Sequence, residues 1–332
     1  MIYKSLMALS WIVCHTPYRL LMGAGWVLGG LYYLLIKKER ERAVSQMMMS
    51  LQIPEAEARR TVRASFVNLA RNVLEILYMQ HLNEQNFEQY IEIDHLERMK
   101  AALAEGHGVV VLTGHVGTWE WLSASFTLNG LPVTAIAKPQ PNIQYTRVLD
   151  DLRATIHVEI FSRGTSELLA AARALKSGKI LGFLADQDAG PGGCFTEFLG
   201  RTASTPMGPA VFASKFHAPV VPAFILRQPN GKHKVVIGEV LHYEDHGDPD
   251  KDLNDFTVRM TKIVDRIIRE NPTQWLWFQK RWNTPPEEAK KNKHHTANET
   301  RAKRHAGKKP KEAVETSATV TMDGSKEESA EK

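Results

Sequence analysis

A chain of 332 residues with 43% hydrophobic composition can bury a sizeable core, which excludes a wholly disordered protein and makes a globular one the default. Its formal charge of +5 points to an anionic partner, but the stretch after Pro285 carries part of that excess; charge alone does not separate nucleic acid, phospholipid and acidic protein. Two cysteines, Cys14 and Cys194, make neither a disulfide framework nor a recognisable metal motif, so a reducing compartment is the simplest reading.

Residues 6–36 are apolar apart from a few positions and stop abruptly at Lys37-Lys38-Glu39-Arg40-Glu41-Arg42. A cleaved signal peptide fits poorly: the apolar region is too long, only Lys4 precedes it, and no small-residue cleavage site follows. The uncharged stretch 20–36 is at the short end of what spans a bilayer. Residues 1–42 are expected to form a membrane helix, spanning or deeply embedded, with the basic cluster holding the remainder in the cytoplasm. His15, Pro17 and Arg19 interrupt the run and leave a buried amphipathic helix as the alternative.

Residues 43–285 read as one α/β domain. Helical periodicity over 43–78 puts Val62, Phe66, Leu69, Val73 and Leu77 on one face, with Pro54 opening a helix. Short apolar runs at 109–113, 133–137, 158–161, 180–184 and 220–226 then alternate with helical stretches at 119–128, 146–155, 165–176 and 206–216. That alternation predicts a mostly parallel central sheet flanked by helices. A late strand at 235–240 is expected to pair through a hairpin at Pro229-Asn230-Gly231, and a helix over 252–270 precedes Pro272. Residues 286–332 lack apolar periodicity and are expected to be a disordered basic and polar tail.

Chemistry is expected where the strand 109–113 runs into Gly114-His115-Val116-Gly117-Thr118-Trp119-Glu120, because α/β sheets place reacting groups at the carboxyl ends of strands. The glycines permit a tight turn that exposes His115, Thr118 can cap the following helix, and Glu120 can fold back toward the imidazole. A histidine made more basic by a carboxylate can deprotonate an alcohol, and amides near Gly117 and Thr118 can face an oxyanion. The bland reading of the same residues is a capping histidine with a dipole-favoured glutamate.

Three further blocks surround this one. Arg147 and Arg153 bracket a predicted helix and Arg163 follows the next strand; loop guanidinium groups suit phosphate, though exposed arginines often mark only a solvated face. Asp186-Gln187-Asp188 lies at another strand end; with no His or Cys cluster beside it, Asp186 suits substrate hydrogen bonding or loop closure better than a metal. In Phe198-Leu199-Gly200-Arg201-Thr202-Ala203-Ser204-Thr205-Pro206, Thr205 would cap a helix that Pro206 begins, leaving Arg201 just outside a helix N-terminus, a natural anion site.

Taken in order, the glycine–histidine block, Ala185-Asp186-Gln187-Asp188, the block from Phe198 to Thr205, and Gln274-Trp275-Leu276-Trp277-Phe278-Gln279-Lys280-Arg281-Trp282-Asn283 resemble the bacterial lipid A biosynthesis acyltransferases, relatives of the phosphatidylinositol mannoside acyltransferases. The resemblance runs from the N-terminal apolar segment to about Pro285. It implies a glycerol-phosphate acyltransferase-like fold at the cytoplasmic face of the inner membrane. It also implies transfer of a fatty acyl chain from acyl carrier protein to a hydroxyl of a lipid A precursor, with no metal, no cofactor and no nucleic-acid partner.

By matching position His115 would be the base and Glu120 its partner. Arg147, Arg153, Arg163, Asp186, Gln187 and Arg201 would hold the substrates. Gly114 stands where the family often has Asn, and Trp282-Asn283 where it often has Phe-Lys. Acylation of another glycolipid, or of a glycerolipid from acyl-CoA, stays open beside this, as does a non-catalytic membrane scaffold. The cluster Trp275, Trp277, Phe278 and Trp282 suits either a bilayer headgroup region or ordinary core packing, and His294-His295 in the tail is weak evidence for metal.

Overall fold

The computed structural model of the chain describes residues 1–137, 139–162 and 165–289. Arg163 and nearly all of the expected tail, including His294 and His295, lie outside the described residues; at the start of that tail, Pro286–Glu288 form one 3₁₀ turn.

Four helices open the chain: α1 (Ile2–Cys14), α2 (Tyr18–Leu35), α3 (Lys37–Leu51) and α4 (Glu55–Tyr78). Pro17 and Pro54 sit immediately before α2 and α4, where a proline costs no helix hydrogen bond. α2 and α3 meet at 93°, and no single helix among the described residues is long and apolar enough to cross a membrane. Residues 1–42 are thus divided between α1, α2 and the start of α3. α2 turns Leu21, Gly25 and Gly29 inward, Gly25 and Gly29 against α4 at Arg71 and Val67, and leaves Leu20, Trp26, Leu31, Leu34 and Leu35 exposed. α1 likewise exposes Trp11 and Ile12. On α4 the predicted apolar face holds at Val62, Phe66 and Leu77, but Val73 is exposed. The buried stripe instead passes through Asn72 and Glu75, polar residues whose partners only the tertiary structure supplies.

The α/β part follows as β1 (Ile91–Asp94), α5 (Leu96–Ala104), β2 (Val109–Thr113), α6 (Trp119–Thr127), β3 (Val133–Ala137), α7 (Ile143–Ala154), β4 (Glu159–Ser162), α8 (Thr165–Lys176) and β5 (Ile180–Leu184). A hairpin of β6 (Cys194–Phe198) and β7 (Arg201–Thr205) leads to α9 (Gly208–Phe216), β8 (Val220–Arg227), β9 (His233–Ile237) and α10 (Pro249–Glu270). The main sheet runs β1-β9-β8-β2-β5-β3-β4, and every pairing is parallel except β8 with β9. The expected α/β architecture is present, and the hairpin at Pro229-Asn230-Gly231 closes through Gln228 N–H on the Lys232 carbonyl.

Strand alternation divides the interior in two. Val110 and Leu112 of β2, with Phe224 and Leu226 of β8, join a core with α3, α9 and α10. Val109 and Val111, with Val221, Ala223 and Ile225, join the other core with α1, α5, α6 and α7. A strand buried on both faces must be apolar throughout, which is why these runs stand out in the sequence.

Elements with mixed composition do not stand out in that way. β1, α5 and the β6–β7 hairpin carry no clear period and went unpredicted. The block from Phe198 to Thr205 is not a loop running to a helix cap. It turns sharply at Leu199 and Gly200, both at positive φ, and returns as β7, so Arg201 begins a strand and the helix starts only at Gly208.

Candidate active site

The segment Gly114 to Thr118 leaves the carboxyl end of β2, beside the carboxyl end of its parallel neighbour β5. Ala185 N–H donates to the Thr113 carbonyl, extending the ladder far enough to bring Asp186 against His115. A Cβ on Gly114 would lie 3.2 Å from Asp186 Cγ, so a side chain there would press on the carboxylate by a few tenths of an ångström. His115 donates its backbone N–H to Asp186 Oδ2 at 2.9 Å, and its Nδ1 lies 2.8 Å from Oδ1. One carboxylate thereby grips both the main chain and the imidazole. Trp275 Nε1 adds a third bond to Asp186 Oδ2 at 2.7 Å.

Asp186 is 0% exposed and the His115 side chain only 14%. Burial alone would push the Asp186 carboxyl up, but the imidazole and the N–H donors hold it well below the usual carboxylate range. Burial opposes charge on His115, yet the facing Asp186 carboxylate, helped by Glu120 farther off, raises the imidazole above its ordinary value. Nδ1 facing a carboxylate is the hydrogen-bearing nitrogen of the neutral ring, which makes Nε2 the basic one; Nε2 has no hydrogen-bond partner among the described residues.

The expected partner of His115 is corrected by this geometry. Glu120 does not fold back onto the ring: it lies in the first turn of α6 and makes a bidentate pair with Arg153 of α7, at 2.6 and 2.9 Å. Its charge reaches His115 but its oxygens are committed to the guanidinium. The orienting carboxylate is Asp186, seventy-one positions along the chain and next to His115 only through the β2–β5 pairing.

Thr118 also differs from expectation. It precedes α6 but makes no side-chain cap; its hydroxyl donates instead to Glu75 Oε2 at 2.6 Å. Gly117 donates its N–H to the Gln274 carbonyl, so it is not available to an oxyanion, whereas the amides of Thr118 and Trp119 carry no hydrogen bond among the described residues.

Behind this segment lies a buried polar cluster that the sequence gives no warning of. Glu75, fully buried on α4, accepts from Arg227 at 2.6 and 2.7 Å, from the Tyr18 hydroxyl at 2.5 Å and from Thr118, and its Oε1 lies 2.9 Å from His233 Nε2. Burial would push its carboxyl up; the charges of His233 and Arg227 hold it far down instead. Arg227 also donates to Asn72 Oδ1 at 3.0 Å, and Asn72 Nδ2 donates to the Gly117 carbonyl at 2.6 Å. Gly117 has φ +58°, and a Cβ there would meet the Ile225 carbonyl oxygen at 1.9 Å. Gly117→Ala is therefore expected to lower unfolding free energy by at least about 2 kcal/mol in a denaturant titration.

The remaining predicted residues divide. Arg153 joins the site through Glu120. Arg147 lies on α7 away from it, 69% exposed, stacked on the Tyr3 ring at 4.4 Å and 3.9 Å from Asp151. Arg201 packs its guanidinium over the Trp282 ring at 4.3 Å in place of the expected helix N-terminus, and burial lowers its pKa. Gln187 is exposed beside Asp186. Trp275 and Trp277 are fully buried, so core packing, not a headgroup surface, is their environment. Trp275 was missed as a site residue; the available signal was that a buried indole N–H needs an acceptor.

Comparison with known proteins identifies the family. Residues 3–284 match the family model of the bacterial lipid A biosynthesis acyltransferases. A lipid A biosynthesis lauroyltransferase of Escherichia coli is 23% identical over 282 residues, covering 83% of this chain and 90% of that protein. A palmitoleoyltransferase of lipid A biosynthesis from the same organism is 22% identical over 281 residues, covering 83% and 89%. A phosphatidylinositol mannoside acyltransferase of Mycobacterium tuberculosis is 22% identical over 231 residues, covering 66% and 69%. With nearly the whole described chain matched and a histidine–carboxylate pair at the carboxyl edge of its sheet, the protein belongs to the bacterial lipid A biosynthesis acyltransferase family and is an acyltransferase.

Proposed function

We propose that this enzyme transfers a fatty acyl chain from an acyl carrier protein thioester to a hydroxyl of a lipid A precursor of the Kdo-lipid A type, at the cytoplasmic face of the inner membrane. The observation that carries the reading is the His115–Asp186 pair: the carboxylate bonds Nδ1 and raises the basicity of the ring, leaving Nε2 for the substrate.

In the proposed step Nε2 takes the proton of the acceptor hydroxyl as its oxygen attacks the thioester carbonyl. The tetrahedral intermediate collapses with cleavage of the C–S bond, and the imidazolium returns the proton to the departing thiolate. No enzyme nucleophile is needed. The free amides of Thr118 and Trp119, at the positive end of α6, suit the developing oxyanion. Arg153, already paired with Glu120, and Arg163, Gln187 and Arg201 remain candidate contacts for an anionic acceptor or carrier group. The apolar faces of α1 and α2 supply the surface that seats on the bilayer, which brings a lipid-linked hydroxyl to the sheet edge.

Mass spectrometry of the glycolipid fraction from cells with and without the protein tests this. An acyl-sized mass difference on the lipid A species is expected, reproduced in vitro with acyl carrier protein thioester as donor. Transfer only from acyl-CoA, or only to a phospholipid or mannosylated acceptor, would replace the donor or acceptor. Lipid binding with no transfer from any thioester would leave a scaffold.

A further inference from the structure

The buried ion pair between Glu75 and Arg227 lies outside the proton path, yet both of its members reach the segment that carries His115. Two largely buried charges are an expensive way to join a helix to a strand, and an apolar pair of similar volume often serves stability as well or better. Their contacts are specific: Thr118 donates its hydroxyl to Glu75 Oε2, and Asn72, held by Arg227, donates to the Gly117 carbonyl. Gly117 and Thr118 are two of the three residues between His115 and the start of α6. Whatever fixes them fixes the angle between the imidazole and the α6 amides.

We infer that the Glu75–Arg227 pair is a positioning device for the transfer reaction: through Thr118 and Asn72 it holds the Gly117–Thr118 peptide so that His115 and the first turn of α6 face the same reacting carbon. Glu75 and Arg227 touch no substrate in this arrangement. The inference rests on His115 being the base.

Thr118→Val removes the hydroxyl donor at nearly constant volume and leaves both charges of the pair in place. Its expected effect is a fall in kcat of about 10- to 100-fold, since displacement of a catalytic group by an ångström costs on that order. KM should stay within about twofold and the melting temperature within a few degrees, because Glu75 keeps its two bonds from Arg227. Thr118→Ser, which restores the hydroxyl, should recover most of the rate.

Combined with His115→Ala, Thr118→Val should cost less than it does alone, because the part of its effect that runs through the imidazole is already lost. A Thr118→Val enzyme within about twofold of wild-type kcat, or a Ser variant no better than the Val one, overturns the positioning role. Retained turnover in His115→Ala would instead overturn the base assignment. If Thr118→Val fails to fold, Asn72→Ser, which shortens the other arm, carries the same expectation on kcat and the same overturning result.

Discussion

Replacing His115 with alanine should reduce acyl transfer by about 10²- to 10⁴-fold while the protein still folds and reaches the membrane fraction. The size follows from the role: without Nε2 the acceptor hydroxyl has no base, although substrate binding and the α6 amides persist. The fold should survive because Asp186 loses only one of its grips and keeps the His115 backbone N–H and Trp275 Nε1. Losing a hydrogen bond to a buried carboxylate costs about 1–3 kcal/mol. Purified variant protein, assayed for transfer and for thermal unfolding in parallel, separates the two effects. Turnover within tenfold of wild type would remove His115 from the mechanism.

Asp186→Asn should come close to the His115 change in size and adds a pH signature. The amide keeps the shape of the side chain but removes the charge that raises the imidazole pKa. The neutral ring is the active form, so kcat/KM falls as pH drops through that pKa. Removing the carboxylate lowers the pKa, and the acidic limb of the profile should move to lower pH even as the plateau drops. An asparagine can also present its amide N–H₂ to Nδ1 and turn the ring toward the wrong tautomer, which is why the plateau loss should reach about 10²-fold or more. Glu120→Gln serves as the contrast. Its charge acts from farther off and through Arg153, so it should move the limb in the same direction by less. A larger displacement from Glu120→Gln than from Asp186→Asn would return the orienting role to Glu120.

The contrast between these two carboxylates marks where sequence reasoning succeeded and where it stopped. Strands β2, β3 and β5 were legible because strands that are covered on both faces, fully in β2 and at the start of β3 and β5, are mainly apolar, and the ends of β2 and β5 located His115 and Asp186 independently. What the sequence could not show was adjacency across the sheet. Glu120 is five positions from His115 and Asp186 is seventy-one, yet strand register decides which one meets the imidazole.

The same limit hid the cluster around Glu75. A glutamate near the end of an amphipathic helix reads as solvent-facing by its type; unlike Glu55 and Glu57, which lie in the first turn, Glu75 is set among apolar neighbours. Its burial becomes visible only once β8 delivers Arg227 and β9 delivers His233. The hairpin at Leu199-Gly200 was lost for a different reason: Thr205-Pro206 imitates a helix start, and the local strand pairing that overrides it joins segments of mixed composition.

Tyr18 ties the N-terminal helices to the site. It opens α2, and its hydroxyl closes the coordination of Glu75, the carboxylate that also receives Thr118. The apolar segment therefore differs from a detachable tether joined to a self-sufficient catalytic globule. A version shortened to begin after Ile36, of the kind made to gain solubility, would open a water path to a buried carboxylate and guanidinium and strip the α2-facing side of α4. Exchange of this segment for an unrelated membrane helix would do the same. From its first residue, α2 is part of the wall behind the segment that carries His115.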